Sequence, residues 1–331
     1  MMNSLEQPVP RRPRLRHSAF WAAVSAILLA SASPAHAASP IRIMLLDGES
    51  GGPYHAWQQT TPDLKKMLQE TGLFEVDVVT APPAGADFSG FHPQWSKYKA
   101  VVMNYDAPDE RWPDDLKTSF TRYVENGGGL VIVHASDNAF SKWPEFNRMI
   151  GIGGWRGRDE NAGPLWYVKD GKTVSDPSPG KAGAHGARRP FQVKIVVPDH
   201  PITKGLPPVW MHAADELYGT LRGPGENMTI LATAHSDPNN RGTGRDEPML
   251  MVMSFGKGRV FHTAMGHDLT ALNCVGFITT FQRGTEWAAT RKVTQKVPVD
   301  FPTADKISTR EEYNPPPGWT SPGGAPRRPT Q

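Results

Sequence analysis

Residues 127–136 read Gly127-Gly128-Gly129-Leu130-Val131-Ile132-Val133-His134-Ala135-Ser136. A glycine turn feeds a short apolar run rich in β-branched residues, the pattern of a strand buried on both faces of a parallel sheet. Its abrupt end delivers one side chain to the strand's carboxyl end, where open α/β sheets keep their sites. A hydrolase of this architecture would carry Ser or Cys at that point. Here it is His134, a residue suited to metal ligation or proton transfer and seldom a stable nucleophile.

The chain around this strand divides into three parts. Arg11, Arg12, Arg14 and Arg16 precede an apolar stretch over residues 18–35, which closes on Ala35-His36-Ala37. A basic region, an apolar core and a small-x-small site make residues 1–37 a secretory signal, so the mature chain starts at Ala38 and is expected outside the cytoplasm, periplasmic or secreted. The Arg11-Arg12 pair leaves the general and twin-arginine export routes both open. The apolar stretch is too short to span a membrane. Of 36 basic and 33 acidic residues, four Arg and one Glu fall in 1–37, so the remainder carries 32 of each and is formally neutral. The basic balance therefore belongs to the export signal, and a nucleic-acid partner is excluded. A single cysteine, Cys274, rules out an internal disulfide; it lies in an apolar stretch and reads as a buried structural thiol. Residues 38–303 suffice for one large α/β domain, and the Pro/Gly-rich residues 304–331 read as a disordered tail.

Within the domain, residues 41–46, 74–80 and 100–104 read as strands leading up to the one that ends at His134. Helices are expected between them, one opening at Thr61-Pro62-Asp63 and one running from Trp112-Pro113 to Asn126. Alternating strands and helices imply right-handed crossovers on an open, mostly parallel sheet with helices on both faces, three layers in all. Residues 151–189, rich in Gly, Asp and Lys and poor in periodicity, read as an excursion over the site. Further strands follow at 191–197, 229–234, 249–255 and 259–263, the last two joined as a hairpin by Gly256-Lys257-Gly258. A helix over 269–290 closes the domain.

Histidines gather at strand ends and in loops: His55, His134, His200, His212, His262 and His267. Several of these elements end at one rim of the sheet, so imidazoles with one or two carboxylates can meet there, a good donor set for a divalent metal. No local metal signature such as His-Glu-x-x-His is present, and for any single histidine a hydrogen-bonded, partly buried ring is the commoner role. His200, in Asp199-His200-Pro201, reads as a turn residue. His262, inside a strand, is open between core and site. His134 and His267 each end an apolar segment beside small residues. One carboxylate of Asp215-Glu216 is expected to face inward; an inward Glu216 requires a cation, a proton or a donor nearby, because unpartnered burial costs several kcal/mol.

Four segments in series now carry a resemblance: residues 127–136, His200-Pro201-Ile202-Thr203-Lys204-Gly205-Leu206, Asp215-Glu216-Leu217-Tyr218, and residues 258–268 ending in Gly266-His267-Asp268. Together they resemble the ThuA-like (trehalose utilisation) family over about residues 41–290. The resemblance implies a class I glutamine amidotransferase-like, flavodoxin-like fold. In the amidotransferases the elbow after this strand bears a catalytic Cys; His134 stands there instead, so glutamine hydrolysis by a cysteine nucleophile is not supported. The resemblance further implies chemistry on disaccharides or glycosides oxidised to 3-keto sugars by a partner sugar 3-dehydrogenase. Carried over residue by residue, it places His55, His134 and Glu216 in catalysis. It makes His134, Glu216 and His267 ligands of a divalent ion (Zn, Mn, Ni or Co), with His212 and Asp268 as nearby supports. Trp57, Tyr105, Trp155 and Trp166 are rings able to stack on a sugar.

The expected function is thus an exported, metal-dependent lyase or hydrolase that abstracts the proton next to the ketone of an oxidised glycoside. The alternative is a non-catalytic carbohydrate-binding or accessory protein of the same fold. Metal content and turnover separate the two.

Overall fold

Five parallel strands form one half of the sheet. In the computed structural model, which describes residues 8–10, 39–50 and 54–321, the parallel half of the sheet contains β1 (Ile41–Asp47), β2 (Phe74–Thr80), β3 (Ala100–Met103), β4 (Gly129–Val133) and β11 (Gly258–Thr263), in the order β2-β1-β3-β4-β11. The expected signal segment lies outside the described residues apart from 8–10, and residues 40 onward form one compact unit. Among the described residues no helix is long and apolar enough to cross a membrane.

Alternation along β11 shows how both faces are covered. Phe261 points at α5 (Val275–Thr290), where an added Cβ on Gly284 would come within 2.1 Å of its ring. The next residue, His262, points the other way, and its Nδ1 donates to the Ile150 carbonyl of α3 (Pro144–Ile150) at 3.0 Å. Gly258, on that second face, abuts Val124 of α2 (Asp114–Glu125). All five residues of β4 are buried between the layers, as a run without polar positions requires.

The other half of the sheet departs from the mostly parallel expectation. Past β11 every pairing is antiparallel, through β10 (Asp246–Phe255), β9 (Thr229–His235), β7 (Arg189–Ile195) and β8 (Val209–Asp215). The Gly256-Lys257 turn is too short for a crossover and forces β10 and β11 to run antiparallel. The architecture is therefore mixed α/β. The excursion over 151–189 is not wholly irregular: it carries a hairpin of β5 (Leu165–Lys169) and β6 (Lys172–Asp176) against β10.

Three boundaries also move. Helix α1 (Trp57–Gln69) starts before Pro62 and holds it inside; at the sixth helical position the missing N–H leaves the Gln58 carbonyl without its usual i+4 donor. The closing helix is two, α4 (Leu269–Leu272) and α5, because Cys274 is extended at φ −66°, ψ 124° and bridges Thr309. Residues 304–321, expected in the tail, lie back on the domain: the Arg310 N–H donates to Asn273 Oδ1 at 2.8 Å, and Tyr313 is buried with its hydroxyl on Glu70 at 2.6 Å. An aromatic side chain that fills a gap in the helix layer overrides the composition of the segment around it.

Candidate metal centre

Each of the four central side chains arrives on a different element. His55 lies in the loop after β1, His134 directly follows β4, Glu216 directly follows β8, and His267 sits between β11 and α4. One ligand atom from each lies within 4.8 Å of all the others. A divalent ion bonded at about 2.0–2.2 Å keeps its ligand atoms roughly 3.3–4.4 Å apart, so the cluster is within a few tenths of an ångström of a coordination sphere.

His134 is held in an uncommon conformation. Its φ is +43°, in the left-handed region, and a short 3-10 turn over His134–Asn138 follows. Such a residue is strained by about 1–3 kcal/mol and persists only where its surroundings fix it. They do: its Nδ1 lies 2.8 Å from the Ala264 carbonyl, and Ser136 Oγ donates to Met103 O at 2.7 Å while accepting from the Tyr105 N–H. A carbonyl only accepts, so in the neutral ring Nδ1 carries the proton and Nε2 keeps its lone pair. That Nε2 lies 3.8 Å from Glu216 Oε2, and His267 Nδ1 lies 3.2 Å from the same oxygen.

Among the described residues, His134 Nε2, both ring nitrogens of His267 and His55 Nδ1 are buried without a hydrogen-bond partner. Leaving one such atom unsatisfied costs about 1–3 kcal/mol, and two of the four, His134 Nε2 and His267 Nδ1, face one carboxylate. Charge tells the same story. Burial alone would raise the Glu216 carboxyl, but His134 and His267 outweigh it and hold the group far below the carboxylate range. Burial alone would lower His134, but Glu216 and Asp215 outweigh it and lift the imidazole above its ordinary value. His55 goes down, first through burial and then through repulsion from His134 and His267, and is kept neutral. The centre thus favours one positive charge opposite Glu216 and keeps the His55 imidazole neutral beside it, and three imidazoles with one carboxylate are a donor set that fits a divalent cation.

Asp215 is the organiser that sequence reasoning left undistinguished from its neighbour. Its carboxylate accepts the backbone N–H groups of Glu216, Gly266 and His267 at 2.7, 2.8 and 3.1 Å, and His212 Nε2 at 2.9 Å. One buried side chain therefore ties the end of β8 to the loop after β11. His212 supports the centre through Asp215, as a neighbour one shell out. Asp268, expected as a support, does something else: it caps α4 by accepting from Thr270 and Ala271 and pairs with Arg188 at 3.0 Å. Adjacent residues on extended backbone face apart, so His267 turns inward while Asp268 turns to the helix.

Two side chains at the centre escaped the sequence reading. Tyr218 is buried, lies 4.1 Å from the His134 ring centroid to centroid, and brings its hydroxyl 3.3 Å from His55 Nε2. Burial first, and then the charge of Glu216, push this phenol well above its ordinary value, so it stays protonated. His185, from the excursion, places Nδ1 3.6 Å from Glu216 Oε1 with its side chain 34% exposed. It stands in a glycine-rich stretch with no periodicity to flag it; its only signal was being a histidine beside Gly186. The remaining histidines settle elsewhere. His262 is a core residue against Asp137 at 3.3 Å, and His200 is a turn residue accepting from the Ile202 N–H at 3.3 Å, its ring lowered to about 4 by burial. Of the four aromatic rings, Tyr105 is buried in a cluster with Trp112 and Phe140, Trp166 donates to the Gly223 carbonyl, and Trp57 opens α1. Trp155 alone of the four packs against centre residues, 4.5 Å from Tyr218 and 6.0 Å from His185.

Comparison with known proteins gives the same region. The ThuA family, described as trehalose utilisation, matches residues 42–288. The crystal structure of a ThuA-like protein from Parabacteroides merdae is 47% identical, with a TM-score of 0.79, over 83% of this chain and 99% of its own. A ThuA-like protein from Bacteroides uniformis shares the fold at 22% identity and a TM-score of 0.53, over 79% of this chain and 97% of its own. No curated protein matches.

Proposed function

The chain belongs to the ThuA (trehalose utilisation) family, and from that premise we propose that it cleaves or isomerises oxidised glycosides, 3-keto disaccharides among them, at a centre made by His55, His134, Glu216 and His267. The single observation that carries this reading is the convergence of unpartnered imidazole nitrogens on the one Glu216 carboxylate. These four residues would hold a divalent ion (Zn, Mn, Ni or Co), which when bound supplies positive charge for an enolate oxygen developing on the substrate. A ketone at C3 acidifies the proton at C2. Its removal sends the C–H electron pair into the C2–C3 bond and the charge onto the C3 oxygen; when the enolate collapses the ketone re-forms, the pair moves into the C1–C2 bond, and the C1–O bond breaks as the leaving oxygen takes a proton. No Ser or Cys nucleophile is required, in keeping with an elbow that carries His134.

The chain's own groups divide the work. Glu216, kept ionised, supplies the negative charge opposite the imidazoles, and the His185 ring beside it on the exposed side is placed to take and return protons. Tyr218, kept protonated, is a hydrogen-bond donor next to His55. Asp215 holds Glu216 and His267 in register. The strained turn at His134 supports a class I glutamine amidotransferase-like elbow in which the imidazole replaces the nucleophile. We read residues 1–37 as an export signal and place the reaction outside the cytoplasm, downstream of a sugar 3-dehydrogenase that makes the ketone.

Turnover of a panel of 3-keto disaccharides and methyl 3-keto-glycosides, with and without chelator, tests the proposal. Turnover that stops with chelator and returns with Mn, Zn, Ni or Co is expected. Binding of these sugars without any turnover would instead favour a non-catalytic carbohydrate-binding protein.

A further inference from the structure

Trp155 and the residue after it both lie in the left-handed region, at φ +51° and +46°. A bulky side chain at positive φ is a genuine outlier, and two in succession are held only by a surround that fixes them. Here the surround is extensive. The Trp155 N–H donates to Ala182 O, its carbonyl accepts from Arg158 N–H, and Arg156 pairs with the buried Asp106 at 2.7 Å. The buried Arg158 guanidinium reaches the carbonyls of Asn138, Ala139 and Gly154 at 2.7–2.8 Å, tying this turn to the one that begins at His134. Opposite the indole stands Gly183, where an added Cβ would lie 2.5 Å from the ring. The fold thus keeps a large, partly buried aromatic ring at one fixed place. That place is one ring removed from the centre: Tyr218 lies between, in contact with His134 on one side and Trp155 on the other.

We propose that Trp155 is a sugar-stacking platform that seats the second ring of a two-ring substrate while the first lies at the His134–Glu216 cluster. This rests on the reading of the centre as a site for oxidised glycosides and narrows it to disaccharides or glycosides with a ring-shaped aglycone. The apolar C–H face of a pyranose is flat and matches an indole face, and a preset platform binds it without the entropy of ordering a free side chain. The role is in binding, so it shows as a dependence on the number of rings.

The test is calorimetric titration of the full chain with 3-keto-trehalose, unoxidised trehalose and methyl 3-keto-glucoside. The wild type binds the two-ring ligands at least about tenfold more tightly than the one-ring ligand. W155A lowers two-ring affinity by more than one-ring affinity and so erases that preference, W155F keeps part of it, and G183A, which crowds the indole, also weakens two-ring binding. A preference that persists in W155A, or none in the wild type, overturns the platform alone. Trp155-dependent binding of the disaccharides with no turnover of the 3-keto form leaves the platform standing and removes the reaction. If none of the three sugars binds, platform and reading fall together.

Discussion

At the residue scale, the centre depends on single atoms whose partners are fixed by covalent neighbours far away in the chain. His134 was legible because a strand that ends on a histidine is easily seen, and Glu216 because an inward carboxylate demands a counter-charge. Asp215 has no role legible in the sequence and Asp268 is legible only as a neighbour of His267, since each is next to a centre residue and only the backbone's local turn decides which carboxylate looks inward. His212 leads to a pH prediction. Burial alone would lower its ring, but Cys274 and Asp215 beside it outweigh burial and push it up to about 9 from an ordinary 6.5. The folded state holds this proton more tightly than the unfolded chain, so the stabilisation is complete below about pH 6.5 and is lost as pH rises through about 9. Melting temperature measured across pH 6–10 should fall over that window, and H212Q should flatten the profile; an unchanged slope in H212Q would remove His212 as its source.

At the scale of elements, the strand–turn–helix units were read well where the apolar period was strong, as in β4, and poorly where a turn or a long-range contact decided the outcome. The helix break at Cys274 is set by a bridge to Thr309, 35 residues away in sequence, which no local pattern carries. Two variants probe the elements around the site. Because His134 sits at φ +43°, H134G should be more stable than H134A by about 1 kcal/mol in denaturant unfolding, glycine being at ease where alanine is strained. The reverse order would mean that the elbow is relaxed. At the contact of α5 with β11, G284A forces a methyl into the Phe261 ring and should cost about 1–3 kcal/mol; an unfolding midpoint equal to wild type would show that the layers slide freely.

Across the whole molecule, the parallel half of the sheet, which delivers His55, His134 and His267, was legible, and in the antiparallel half the strands were read apart from β8, which delivers Glu216; how those strands pair was not, because antiparallel partners are chosen by hairpins and edges rather than by a run of crossovers. The C-terminal segment was misread for a similar reason: its composition is that of a loose tail, yet Tyr313 fills the layer beside α1. Deleting residues 304–331 should therefore lower stability by roughly 3 kcal/mol, the order of a lost buried aromatic, with a matching drop in melting temperature. The four residues of the centre come from positions 55, 134, 216 and 267, so an ion bound there joins the full span of the domain and stabilises it by mass action. The most direct measurement is the metal-to-protein ratio of the chain after dialysis against Mn, Zn, Ni or Co and removal of free ion, read by elemental mass spectrometry for wild type, H134A and E216Q. One ion per wild-type chain and none in either variant, with their circular dichroism unchanged, is the expected result. A wild-type ratio near zero, or full occupancy in H134A, would contradict the assignment of this centre to a metal.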